Sequence, residues 1–163
     1  MLVARAQLSF IVNLVARFER PDNTMQPIIV FQSQYVAIIT LLRSVGHVFE
    51  KVDCDTPGRK SWCQAKWKEW KQAPIFQNFI ELKRNELLKE FKGSLELRND
   101  AFDAPAIVVD PSVPGMVSTV TTLDPSRLRD AGGHPIMPNI REALSFWNRC
   151  LNEAEAEFGE PRY

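Results

Sequence analysis

Between residues 28 and 52 the chain carries an apolar stripe too broad for a helix with only one buried side. Phe31, Tyr35, Ile38, Ile39, Leu42, Val45, Phe49 and Val52 recur at helical spacing, and Val36, Ala37, Leu41 and Val48 widen the stripe. A helix apolar around so much of its circumference needs neighbours on several sides. The run "PIIVFQSQYVAIITLL" contains Gln32 and Gln34 and is shorter than the ~20 apolar residues of a bilayer crossing. The expectation is therefore a central helix of a bundle, with no membrane partner. Gly46, which costs about 1 kcal/mol against alanine in a helix interior, is expected to admit another backbone at close range.

The rest of the chain supplies helices to surround it. Leu8, Ile11, Val12, Val15 and Phe18 predict a helix over 3–19, and "RPDNTMQP" breaks it. "SWCQAKWKEWKQ" predicts a short connecting helix, whose tryptophans are read as core or interface anchors in preference to a base-stacking platform. Pro74 and Gly93 bound a helix over 74–92. The last helix, 138–158, places Ile140, Leu144, Trp147, Leu151, Ala154 and Phe158 on one face, with Asn139 and Glu142 as a capping box and Gly159 closing it. In the 105–130 segment, Ile107–Val109 and Met116–Thr121 are short β-like runs around "DPSVPG", which predicts a small hairpin or irregular arm. The fold class expected is mainly all-α: one domain over 1–163, an antiparallel up-and-down helical bundle with that arm before the last helix.

Charge narrows the function. Twenty basic residues balance twenty acidic ones, which argues against a whole-surface field for DNA or membrane. The balance conceals a basic middle, since residues 57–92 hold nine Lys/Arg against four Asp/Glu. Cys54, Cys63 and Cys150 are odd in number and lack metal-ligand spacing. They are expected to be reduced thiols of a cytoplasmic protein, with no metal site and no cofactor. The N-terminal stretch, with Arg5, Asn13 and Arg17 spread through it, does not resemble a secretory signal.

One residue breaks the pattern. In "FIELKRNELLKEF", Arg84 lies between Ile80 and Leu88 on the apolar face, with Asn85 pointing roughly the other way. A guanidinium stays charged, so burial without a partner would cost several kcal/mol. Its partner is expected to be a carboxylate such as Glu50 or Asp53, or an anion such as phosphate, which the planar fork grips with two donors. Arg43 and His47 are four residues apart and share a helix face. If that face meets the Arg84 helix, the three form one cluster. His134, in the Gly-Pro loop "DAGGHP", is expected at the surface.

A helical bundle with "LLRSV" on an earlier helix, "RN" on a later one and "EALSFWNRCLNEAEAEF" at the end resembles the HEPN superfamily. The likeness spreads over most of the chain outside the 105–130 arm. That resemblance implies a helical homodimer and a metal-independent ribonuclease of toxin–antitoxin or antiviral type, working with an Arg, a following polar residue and a His four to six residues after the Arg. Arg84 and Asn85 match this motif. The histidine is missing: Lys89 stands five residues after Arg84 and Glu90 six. A lysine of ordinary pKa binds phosphate but is a poor general base. The first expectation is thus a catalytically degenerate dimeric module that binds RNA or a nucleotide, or regulates, through Arg43, His47, Arg84, Asn85 and Lys89. The second is a ribonuclease in which Arg84 works with His47 or His134. The third is an interaction protein whose polar cluster only fixes helix register.

Overall fold

The computed structural model describes residues 1–20, 28–90, 106–109, 117–120, 124–130 and 132–159. Helix α1 is Val3–Phe18, α2 Ile28–Val48, α3 Lys60–Trp70, α4 Leu82–Leu88 and α5 Ile136–Phe158. Together they make a helical bundle. A π turn, Phe49–Asp53, extends α2, and a second, Phe76–Glu81, leads into α4. Strands β1 (Ala106–Val109) and β2 (Val117–Val120) pair antiparallel, with Ala106 opposite Val120 and Val109 opposite Val117. The expected end near Gly93 lies outside the described residues.

The broad stripe explains the centre. Phe31, Tyr35, Ile38, Ile39, Leu42, Val45 and Phe49 are all fully buried, and α2 packs against α1, α5 and the α4 segment. Ile29–Asp53 is long and apolar enough to cross a membrane by length and composition, and in this fold its apolar face forms the core.

Gly46 admits side chains where a neighbouring backbone was expected. A Cβ there would run into Cη2 and Cζ3 of Trp67 and come within 2.7 Å of Trp147 Cη2. The two indoles stack with centroids 6.2 Å apart, and Phe76 meets both edge-on. Trp67 and Trp70 are buried anchors, and Phe49 lies 4.9 Å from Trp70. Such aromatic pairs contribute about 0.5–1.5 kcal/mol each beyond the area they bury.

Two local expectations need correction. The last helix begins two residues before 138, with Pro135 as its N-cap, so Asn139 sits inside it. Its amide donates to the Pro135 carbonyl at 3.2 Å and forms no capping box. Gly159 closes the helix in the left-handed region, at φ 65°. The cysteines are not all free: Cys54 and Cys63 form a disulfide, leaving Cys150 as the one buried free thiol. Their spacing of nine residues across a turn, with both side chains facing the core, brings them together where sequence spacing alone suggested nothing.

α1 is fastened by polar groups from distant segments. Asp53 accepts from the Val3 amide at 2.7 Å and the Ala4 amide at 2.9 Å, satisfying two donors at the helix start. Arg5 is buried and makes four side-chain hydrogen bonds. It forks onto both oxygens of Glu155 at 2.9 and 2.8 Å, and donates to Asn148 and Asn152 at 2.6 Å each.

Candidate functional site

A groove of about 440 Å³ runs between α2 and the α4 segment. From α2 it takes Thr40, Arg43, Ser44 and His47; from the facing segment it takes Glu81, Arg84, Asn85, Leu88 and Lys89. The helical repeat explains the α2 wall, since residues 40, 43, 44 and 47 form one strip of its surface. Three permanent cations therefore face one carboxylate, with an imidazole beside them.

Each group plays a distinct part. Arg43 is braced: its guanidinium lies 5.5 Å from the Trp67 ring centroid and 5.3 Å from that of Phe76, and it pairs with Glu81 at 3.7 Å. That setting adds cation–π attraction to a long ion pair and holds the charge at the groove wall. Arg84 is half-buried, and its Nη1 donates to Asn85 Oδ1 at 3.0 Å. It pairs with no carboxylate among the described residues. Asn85, expected to point away, accepts that bond and lines the groove. His47, Lys89 and Leu88 are exposed.

The expected carboxylate partners of Arg84 are engaged elsewhere. Asp53 holds the start of α1, and Glu50 pairs with Lys51 at 3.9 Å. The core-facing row of the segment runs Phe76, Phe79, Ile80, Lys83, Leu87, and Arg84 stands one step to its side. The inward cation is Lys83, whose amine reaches Asp130 and Glu86, each at 2.8 Å. Burial works against the Lys83 charge, yet the hydrogen bonds it donates to Asp130 and Glu86 raise its pKa above the ordinary lysine value. Burial likewise opposes the Asp130 charge, but the Lys83 hydrogen bond and the His134 amide outweigh it and hold the carboxyl below its usual range. The buried Tyr35 hydroxyl is pushed well above an ordinary phenol, first by burial and then by the charges of Asp130 and Glu86.

His134 belongs to this second cluster and does not line the groove. Asp130 Oδ1 accepts from the Gly132 and His134 amides at 2.9 Å and lies 3.3 Å from His134 Nδ1. A Cβ at Gly132 would come within 2.9 Å of that nitrogen, so a larger residue there would make the exposed His134 ring swing away. Residues 132–134 are thus wound around the Asp130 carboxylate.

Sequence reasoning missed Arg5 with Glu155, and Lys83 with Asp130. A signal was present. Arg5 continues the Leu8 row one turn back, and Glu155 stands four residues after Leu151. The test that singled out Arg84, a charge at an apolar position, applies to both.

Among the described residues no group of His, Cys, Asp and Glu is arranged to hold a metal ion. The groove offers chemistry of another kind: a guanidinium with donors to spare beside a lysine and an imidazole. Comparison of the chain with protein-family models, curated proteins and solved structures found no match.

Proposed function

We propose that the groove between α2 and α4 binds a phosphate-bearing nucleotide or the backbone of single-stranded RNA. The observation that carries this is Arg84, a permanent charge without a carboxylate partner among the described residues, opening into a groove it shares with Arg43, His47 and Lys89. Its fork suits two phosphate oxygens, and the braced Arg43 and the exposed Lys89 amine add charge on either side. The motif resemblance, with Arg84 and Asn85 in place and the histidine absent, supports binding ahead of catalysis.

The test is a titration with AMP and with a short single-stranded RNA. Arg84→Ala is expected to weaken binding about 10- to 100-fold, the equivalent of one charge-assisted hydrogen-bonded contact, and to leave thermal unfolding almost unchanged. A melting point lowered as far as by loss of a buried ion pair, with binding intact, would instead assign Arg84 to the fold. One observation favours a second reading: His47 shares the groove with Arg84, as a general base for attack by an RNA 2′-hydroxyl would have to. RNA cleavage in chelator, abolished by His47→Ala and retained by His134→Ala, would establish the ribonuclease.

A further inference from the structure

The Cys54–Cys63 disulfide is only 2–3% exposed, yet it borders a small pocket and sits where opening it has consequences. Both cysteines line a small pocket of about 170 Å³, flanked by Lys51, Lys60, Glu50 and Asp55. The turn between them, residues 55–58, is exposed throughout. The two lysines and two carboxylates around the pocket balance, so a small thiol of either charge can enter it. Cys150 is different. Burial, with a smaller push from Glu153, raises its thiol to about 12, so it stays protonated and unreactive.

Each half of the bond controls an element. Cys54 follows Asp53, the residue that holds the first turn of α1. Cys63 lies one helical turn before Trp67 on the buried face of α3. Trp67 in turn stacks on Trp147 and supports the Arg43 guanidinium at the groove wall. A continuous path of contacts therefore runs from the disulfide to the groove.

We propose that Cys54–Cys63 is a thiol-exchange site, opened through this pocket by a low-molecular-weight thiol, and that its opening loosens α3 and weakens the groove. The thiolate of the small thiol attacks one sulfur and forms a mixed disulfide; the S–S bond breaks and the other cysteine leaves as a thiolate, which takes a proton from solvent. A second small thiol attacks its counterpart in the mixed disulfide and releases the remaining cysteine. Two small thiols are oxidised to their disulfide, and Cys54 and Cys63 are reduced. The effect on the groove rests on the nucleotide-binding reading above; the exchange itself does not.

The experiment equilibrates the full chain in glutathione buffers of graded poise and reads three quantities. Alkylation followed by intact mass should show two modified thiols under reducing conditions while the helical circular dichroism persists. Thermal melting should fall by roughly 10 °C on reduction, from loss of a short closed loop in a chain of this size, and recover on reoxidation. AMP affinity should drop about tenfold in the reduced form. The double variant Cys54→Ser/Cys63→Ser should melt like the reduced protein and ignore glutathione. A bond that opens only when the helices unfold, or a melting point unmoved by reduction, overturns the proposal. A lowered melting point with unchanged AMP affinity overturns the link to the groove. If the oxidised protein binds no AMP at all, the groove reading fails, and alkylation and melting alone decide the exchange site.

Discussion

Glu155→Ala is expected to cost the fold about 3–5 kcal/mol, the usual penalty for leaving one partner of a buried ion pair alone. Glu155 is fully buried, and the Arg5 side chain is 8% exposed. The guanidinium cannot shed its proton, and without the carboxylate it keeps only the amide oxygens of Asn148 and Asn152. Urea unfolding measures the loss as a shifted midpoint with unchanged slope. The paired replacement Arg5→Met with Glu155→Leu should recover most of it, because apolar groups of similar size avoid the desolvation that the ions suffer. A loss below about 1 kcal/mol for the single change would mean that the pair is screened by water, as exposed pairs are.

The second large effect is expected at a glycine. Gly46→Ala should destabilise by about 3 kcal/mol, at the upper end of overpacking costs, although alanine is the better helix former by about 1 kcal/mol. The added methyl would fall on Trp67 and lie 2.7 Å from Trp147. These indoles are stacked on each other and hemmed in by Phe76, so neither can move without displacing the other. Near-ultraviolet circular dichroism, which reports the tryptophan environment, should change along with the melting point. A more stable Gly46→Ala protein would show that the rings have room to retreat.

The bundle was legible because its helices obey simple periodicities. The α2 positions Phe31, Tyr35, Ile38, Ile39, Leu42, Val45 and Phe49 and the α5 positions Ile140, Trp147, Leu151 and Ala154 are core in the structure as in the sequence, with Leu144 packed at its edge. Of the groove, the pairing of Arg43 with His47 was legible, because i, i+4 spacing puts them on one helix face; that Asn85 lines it too was not, since its position pointed away from Arg84. What each residue touches was not. Arg43 is braced by Trp67 and Phe76, and whether α3 would lie against α2 depends on tertiary packing that no local pattern encodes. The Arg84 partner was misjudged for the same reason: Asp53 is close to α2 in sequence, yet the π turn aims it at the start of α1. The disulfide was hidden because two cysteines nine residues apart have no signature, and only the reversal between α2 and α3 makes them neighbours.

α1 is made well before the residues that fasten it. Asp53 lies about 50 positions downstream of the amides it holds, and Glu155 lies 150 positions after Arg5. On a ribosome adding roughly 5–20 residues per second, Arg5 exists for about 8–30 seconds before its counter-ion is synthesised. During that interval an isolated helix of 16 residues is marginal in water. Order of synthesis and order of folding therefore run in opposite directions at this end of the chain, and α1 is secured when the last helix arrives. Pulsed hydrogen exchange during refolding should find the α1 amides protected no earlier than those of α5; protection of α1 ahead of α5 would show that it forms on α2 alone.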